Sequence, residues 1–287
     1  MNRQETGEFL YRFYIKRTAS FLVNIYKASI TSESKDIHRA RLDVKKIFAL
    51  YGLFDMLDPR VFRNQPGYKL FRPLYRQAGK IREMQVNSAL LAQHDPLGTG
   101  YNYFKTWLRE EEQRAVQGFL RAVKKFSEPE LKKTDRVVRK ICYSGSKFNL
   151  LSKTESLIIS KTRIMKDLQS GEPGDREIHR IRQNLKEIST ITTLVYSIKP
   201  VKQLDLIITA LNRTEMMIGD WHDRLVLKED IDRFLKTTTI DIKEELNALN
   251  RLKQTLIDFN QKLIRHFMPE VFEITEKVHM EGGERTS

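Results

Sequence analysis

Two short stretches of this chain carry the same cations at the same spacing. Asp36–Ile47 reads DIHRARLDVKKI, and Glu177–Ile188, 141 positions later, reads EIHRIRQNLKEI. Six of the twelve positions are identical, and four of those six are basic: His38, Arg39, Arg41 and Lys45 match His179, Arg180, Arg182 and Lys186. Repeated isoleucines (Ile37 with Ile178, Ile47 with Ile188) would follow from any duplicated core helix. Repeated cations in one register point instead to two half-sites for something negative. The residue types suit phosphate. Arg places two parallel hydrogen bonds on phosphate oxygens, and Lys adds a compact, mobile charge. His titrates near neutrality and is favoured in its charged form beside an anion.

A helix turns about 100° per residue, so the two stretches can be placed on a wheel. Val44, Ile47, Phe48 and Tyr51 fall within roughly 80° of Ile37, with Ala40 beside them, and form the stripe to be buried. His38, Arg41 and Lys45 lie on the shoulder of that stripe. In the second copy Ile178, Ile181, Leu185 and Ile188 form the stripe, and His179, Arg182 and Lys186 the shoulder. Cations on the back of a helix are a solvated face. On the shoulder they stand at the mouth of a packing interface, where low-dielectric walls strengthen their field. Each ladder is about 10 Å long, enough for several phosphates of a chain. The competing interpretation is that His38 and His179 are capping or core histidines; two of them in matching cationic registers weigh against it.

The elements that position these ladders are helices. Apolar residues recur three and four apart along most of the chain, Gly and Pro number only 13 and 8, and strand-like alternation is scarce. Turn chemistry clusters at Asp58-Pro59 with Gln65-Pro66-Gly67, at 94–100, at 127–129, at 144–146, at 171–175 and at Lys199-Pro200. Helices are predicted between these breaks, over 7–30, 34–57, 67–93, 101–126, 129–143, 146–170, 175–198, 200–236 and 239–268. Glu33 or Ser34 is expected to cap the second helix and Asp175 the seventh. The repeat extends past the ladders. Gly79-Lys80-Ile81-Arg82-Glu83 follows His38 by 41 residues, and Gly219-Asp220-Trp221-His222-Asp223 follows His179 by 40. Long helices with short connections pack as bundles. The fold class expected is all-α: two antiparallel four-helix-bundle-like halves, 7–127 and 128–275, related by pseudo-two-fold symmetry, with a disordered tail at 276–287.

Charge bounds the partners. Residues 1–127 hold 23 basic and 12 acidic side chains, a net +11, and the remainder hold 28 and 25, a net +3, for +14 in all. Anionic partners follow: nucleic acid, phosphate polymers or a membrane surface. The single cysteine, Cys142, excludes an intrachain disulfide and cysteine-based zinc or iron–sulfur spacing. No apolar run approaches the ~20 residues that span a bilayer, and charges at Arg3, Glu5, Glu8 and Arg12 interrupt any signal-like segment. A soluble cytoplasmic protein with no membrane association is expected.

His-x-x-Arg-x-x-x-Lys twice, each followed by Gly-x-x-x-acid, resembles the CHAD family, named for its conserved histidine α-helical domain. Segments such as IHRARLDVKKIFALYGLF and MIGDWHDRLVL carry the likeness, which spans about residues 7–275. The resemblance implies two helical bundles around a basic channel that binds inorganic polyphosphate. It implies that His38, Arg41, Lys45, His179, Arg182 and Lys186 line that channel. Lys46 matches a further basic position, and Arg82 and His222 occupy equivalent places in the second element. The family often has another Arg ten residues after each His, where this chain has Phe48 and Ser189, so channel cations are missing there. Glu187 replaces the counterpart of Lys46 and is expected to point away from the ladder. No Glu-x-Glu-x-Lys strand of the triphosphate-tunnel phosphatases found attached in relatives is present, so a stand-alone binding module is implied.

Three functions compete with polyphosphate binding. A metal-dependent phosphohydrolase would draw on His94-Asp95 and His222-Asp223, but the first pair sits in a predicted loop and the second aligns with Arg82-Glu83, a poor ligand pair. Neither a His-Glu-x-x-His helix nor a phosphate-binding Gly-rich loop occurs, and no catalytic residue, metal or cofactor is assigned. A nucleic-acid module fits the charge and is the leading alternative; Tyr11, Phe13, Tyr14, Tyr68, Phe71 and Tyr75 could stack bases, yet their spacing marks core. A third possibility is a protein scaffold whose basic groove takes an acidic peptide.

Overall fold

The structure is a computed structural model that describes residues 3–57, 66–95, 100–143, 149–169, 173–237 and 243–283. Among them nine helices follow one another: α1 (Arg3–Thr31), α2 (Ser34–Leu57), α3 (Pro66–Gln93), α4 (Asn102–Lys124), α5 (Glu128–Tyr143), α6 (Leu150–Leu168), α7 (Asp175–Ile198), α8 (Lys202–Thr237) and α9 (Lys243–Gly283). No strand occurs among the described residues. Pro66, read from the sequence as part of a break, instead opens α3, where its fixed φ suits the first helical turn. Gly174 rather than Asp175 holds the N-cap of α7; Asp175 and Glu177 lie in the first turn, favourably placed for the helix dipole.

The repeated helices bury the stripes expected of them. Ile37, Ala40, Val44, Ile47 and Tyr51 on α2 are at most 1% exposed, as are Ile178, Ile181, Leu185 and Ile188 on α7, while Phe48 is half-buried. Truncating a side chain such as Ile47 or Ile188 to Ala would cost about 2–5 kcal/mol in lost burial and cavity formation.

Two closed sets of packed helices emerge. α6, α7, α8 and α9 pack in a ring, α6 on α7, α7 on α8, α8 on α9 and α9 back on α6. In the first set α1 packs on α2, α2 on α3, α3 on α5 and α5 back on α1. Thus α5, grouped by the sequence with the second half, closes the first bundle: Leu131, Val138, Ile141 and Cys142 belong to the core containing Tyr14, Phe21 and Phe54. The reason lies in the repeat. At an offset of 140 residues, α4 and α5 together align with the single long α9, and Pro129 aligns with Pro269. The first copy breaks just before that proline, which lies in the first turn of α5; the second continues through it, with Phe267 and Val271 anchored in the second core on either side. The helix expected over 239–268 thus continues past Pro269, although that residue removes an intrahelical hydrogen bond. The helix runs on to Gly283, so the part of the expected disordered tail up to that residue is helical, and 284–287 lie outside the described residues.

A third core ties the halves together. Met84 and Leu91 of α3, Phe104, Trp107 and Leu108 of α4, Leu227, Ile231 and Phe234 of α8, and Leu249, Leu252 and Leu256 of α9 form one cluster. Phe104 and Trp107 stack at 5.7 Å, with Phe234 5.2 and 5.8 Å from them. The start of α4 has no side-chain cap of its own, since Tyr101 is in the left-handed region. Glu245 of α9 supplies one, accepting from the backbone N–H groups of Tyr103 (3.3 Å) and Phe104 (3.0 Å). Asn87 donates to Asp230 at 2.7 Å across the same interface.

Candidate functional site

The two bundles meet through α2 against α7 and α3 against α8. The shoulders of the repeated helices are brought together there. Arg41 and Lys45 of the first copy lie close enough to Lys186 of the second to repel its ammonium, and Arg41 also repels Arg182. Arg82 acts on His38 from α3, and His222 on α8 is repelled by Arg182, His179 and Lys186. The His179 and His222 rings are 5.5 Å apart. Eight of the nine residues proposed from the sequence are therefore electrostatically linked: His38, Arg41, Lys45, Arg82, His179, Arg182, Lys186 and His222. Lys45 and Arg82 are exposed and the other six half-buried.

Lys46 is not among them. One residue beyond Lys45 it turns about 100° away, toward α1. There the charges that act on it are Arg17 and Asp43. Asp43 is already engaged by Ser20 (2.7 Å), Asn24 (2.9 Å) and Arg17 (3.7 Å). Glu187 also points away, as expected, into an ion pair with Lys161 of α6 at 2.7 Å.

The cluster is poorly compensated. Arg39, Lys161 and Arg17, which flank it, have carboxylate partners within 4 Å. Among the described residues Arg41, Lys45, Arg82, Arg182 and Lys186 form no ion pair. Arg41 Nε, Arg182 Nε, His38 Nδ1 and His222 Nδ1 are buried and make no hydrogen bond. Buried polar atoms in native proteins nearly always have a partner, so four orphans in one cluster are informative. Burial, then repulsion from Arg182, Lys45 and Arg41, lowers the Lys186 pKa to about 8, with Glu215 opposing. Burial with Arg182, His179 and Lys186 lowers His222 to about 3. His38 and His179 are also lowered, chiefly by burial and then by the arginines beside them. Two carboxylates temper the field: Asp223 and Glu215 both favour the charged form of Arg182.

The repeat offset exposes further members that the sequence reading passed over. At 140 residues Tyr75 aligns with Glu215, and Gly79 with Gly219. The Arg41 guanidinium lies over the Tyr75 ring, 5.0 Å from its centroid, and Phe48 packs edge-on to the same ring at 5.4 Å. In the second half Ser189 donates to Glu215 at 3.2 Å. The residue ten positions after each histidine thus contacts the residue four before each glycine. Phe48 and Ser189 stand where a cation was expected from the resemblance; one contacts an aromatic ring and the other a carboxylate. The alignment itself could have found both pairs.

The two glycines differ. A Cβ on Gly79 would meet Arg41 Nε at 3.9 Å, whereas one on Gly219 would meet nothing within 4 Å. Gly219 lies inside a 36-residue helix, where glycine costs about 1 kcal/mol relative to alanine.

Asp95 engages Lys105 and accepts from the Gly100 N–H at 3.3 Å, holding the approach to α4. Among the described residues no group of three His, Cys, Asp or Glu side chains is arranged to hold a metal ion. Nor is any described helix long and apolar enough to cross a membrane.

No protein-family model matches this chain, and no curated protein does. Among solved structures, the crystal structure of the CHAD domain from the plant Ricinus communis is similar over 95% of this chain and 91% of that one, with a TM-score of 0.68 and 14% identity. The chain has a CHAD-like fold. In this CHAD-like chain the likeness is one of shape and reaches from end to end, while the side chains of the cluster stand on the geometry described above.

Proposed function

We propose that the protein binds inorganic polyphosphate, or a closely similar polyanion, in a basic channel between its two halves, without chemistry. One observation carries the reading: five cations drawn from both repeats are held together with no ion pair within 4 Å among the described residues, two of them buried enough to leave guanidinium N–H groups unsatisfied. Protein interiors rarely hold such an arrangement, because unpaired buried charge is expensive. A chain of phosphates supplies the missing negative charge and accepts the free N–H groups. It also releases its counterions on binding, which favours association at low salt. His38, His179 and His222 sit where a bound anion would promote their protonation.

Nucleic acid is the ranked alternative. Tyr14 and Phe71 are fully buried, and Tyr11, Phe13, Tyr68 and Tyr75 pack against the first core, so the aromatic series serves packing and offers no stacking platform.

Titration of long-chain polyphosphate against wild type, Arg41→Ala/Arg182→Ala and Lys132→Ala/Lys133→Ala tests the reading. The arginine pair should lose about 100-fold or more in affinity, two charged hydrogen-bonding partners being worth about 1.5–3 kcal/mol each. Lys132 and Lys133 are exposed on α5 and should matter little. Equal losses would reveal diffuse attraction. Displacement of polyphosphate by single-stranded RNA at equal phosphate concentration would favour the alternative.

A further inference from the structure

Gly219 has no packing reason to be a glycine. It sits in the middle of α8 with ordinary helical neighbours, and a Cβ there would meet nothing within 4 Å. Glu215 lies four residues before it, and His222 and Asp223 three and four after. Residues at these spacings share a helix face. All three neighbours interact with the charged groups of the cluster: Glu215 and Asp223 with Arg182, and His222 with Arg182 and Lys186. The absent side chain of Gly219 therefore faces the cations. The propensity penalty of glycine, described above, is borne at a site where alanine would fit without a clash.

We infer that Gly219 is a specificity-determining position: by leaving the α8 backbone bare beside Arg182 and Lys186, it keeps open the space in which an unbranched phosphate chain lies. The inference rests on the polyphosphate reading and deepens it. The contrast with Gly79 gives the direction. At Gly79 the corresponding space is bordered by the Arg41 guanidinium, which rests on Tyr75. At Gly219 the aligned position of Tyr75 is Glu215, which Ser189 engages, and the space beside the glycine stays clear. Ligand room is thus asymmetric between two halves whose cations match.

The test is a size series, Gly219→Ala, Gly219→Met and Gly219→Leu, each measured for melting temperature and for affinity toward long-chain polyphosphate. The expected result is a melting temperature at or above wild type, because glycine is lost from a helix and the added Cβ meets nothing within 4 Å. Affinity should fall with side-chain size, by about tenfold or more for Leu, the equivalent of losing one charged hydrogen bond to phosphate. Arg41→Ala/Arg182→Ala serves as the reference for a site without its cations. If wild type binds, the arginine pair abolishes binding and all three Gly219 variants bind as wild type does, the inference is overturned and the reading stands. If wild type fails to bind polyphosphate, both fall together. Should Leu lower the melting temperature, the Ala and Met variants decide: undiminished affinity in a stable Met variant also overturns the inference.

Discussion

Lys186→Met should stabilise the free protein and weaken it as a binder. Lys186 is lowered from an ordinary 10.5 to about 8, with burial the main cause and Arg182, Lys45 and Arg41 adding to it. Taken at face value, that fall corresponds to about 3 kcal/mol of disfavoured charge. Solvent around a half-buried ammonium screens part of it, leaving about 1–2 kcal/mol. Because the folded-state pKa lies below the unfolded one, the penalty is present in full below about pH 8 and is relieved as pH rises from there toward 10.5. Methionine keeps the unbranched stem and removes the charge. At pH 7 the variant should therefore melt higher than wild type by roughly 2–8 °C, at 2–4 °C per kcal/mol for a domain of this size. The gap should narrow toward pH 10. Polyphosphate affinity should drop about 10- to 100-fold, the worth of one charged hydrogen bond. Scanning calorimetry across pH, paired with isothermal titration of polyphosphate, reads both signs. A variant that melts lower than wild type at pH 7 would refute the reasoning, since the ammonium would then be compensated within the protein. An unchanged affinity would refute it equally.

Polyphosphate affinity should fall steeply with salt. With five cations engaged, log K against log salt should have a slope of about −3 to −5, and a slope near −1 in a fluorescence titration would contradict a multi-cation site. Affinity should also rise as pH falls below 8. Lys186 is already lowered to about 8, His222 to about 3, and His38 and His179 are lowered in the free protein, whereas a bound anion raises all four, so binding takes up protons. A pH-independent constant in titrations run in buffers of different ionisation enthalpy would remove these groups from the mechanism. Glu245→Ala should cost about 1–2 kcal/mol of stability by uncapping α4, while leaving polyphosphate affinity unchanged, because Glu245 serves the third core. Urea melts and a parallel titration check both halves of that statement.

Much of the fold was legible because its signals are local. Apolar spacing and turn residues depend on a few neighbours, so α2 and α7 were placed residue for residue at 34–57 and 175–198. The misreadings also have a local cause. Pro129 and Pro269 look alike in sequence, but only packing decides that one lies in the first turn of a new helix and the other is carried through a long one between Phe267 and Val271. For the same reason α5 was grouped with the wrong bundle: nothing within Glu128–Tyr143 says which neighbours its apolar face will meet.

The candidate site divides in the same way. His38, Arg41 and Lys45, with His179, Arg182 and Lys186, were identifiable from repetition and helical geometry alone, since the angle between residues on one helix is fixed by its pitch. That the two ladders would confront each other was decided by the packing of α2 on α7, segments 141 residues apart. The packing of α2 on α3 laid Arg41 over Tyr75, that of α7 on α8 set Ser189 on Glu215, and that of α1 on α2 put Arg17 beside Lys46. A single sequence specifies which side chains share a helix face. Which faces become neighbours, and so which charges are left without partners, depends on how all the helices fill one volume together.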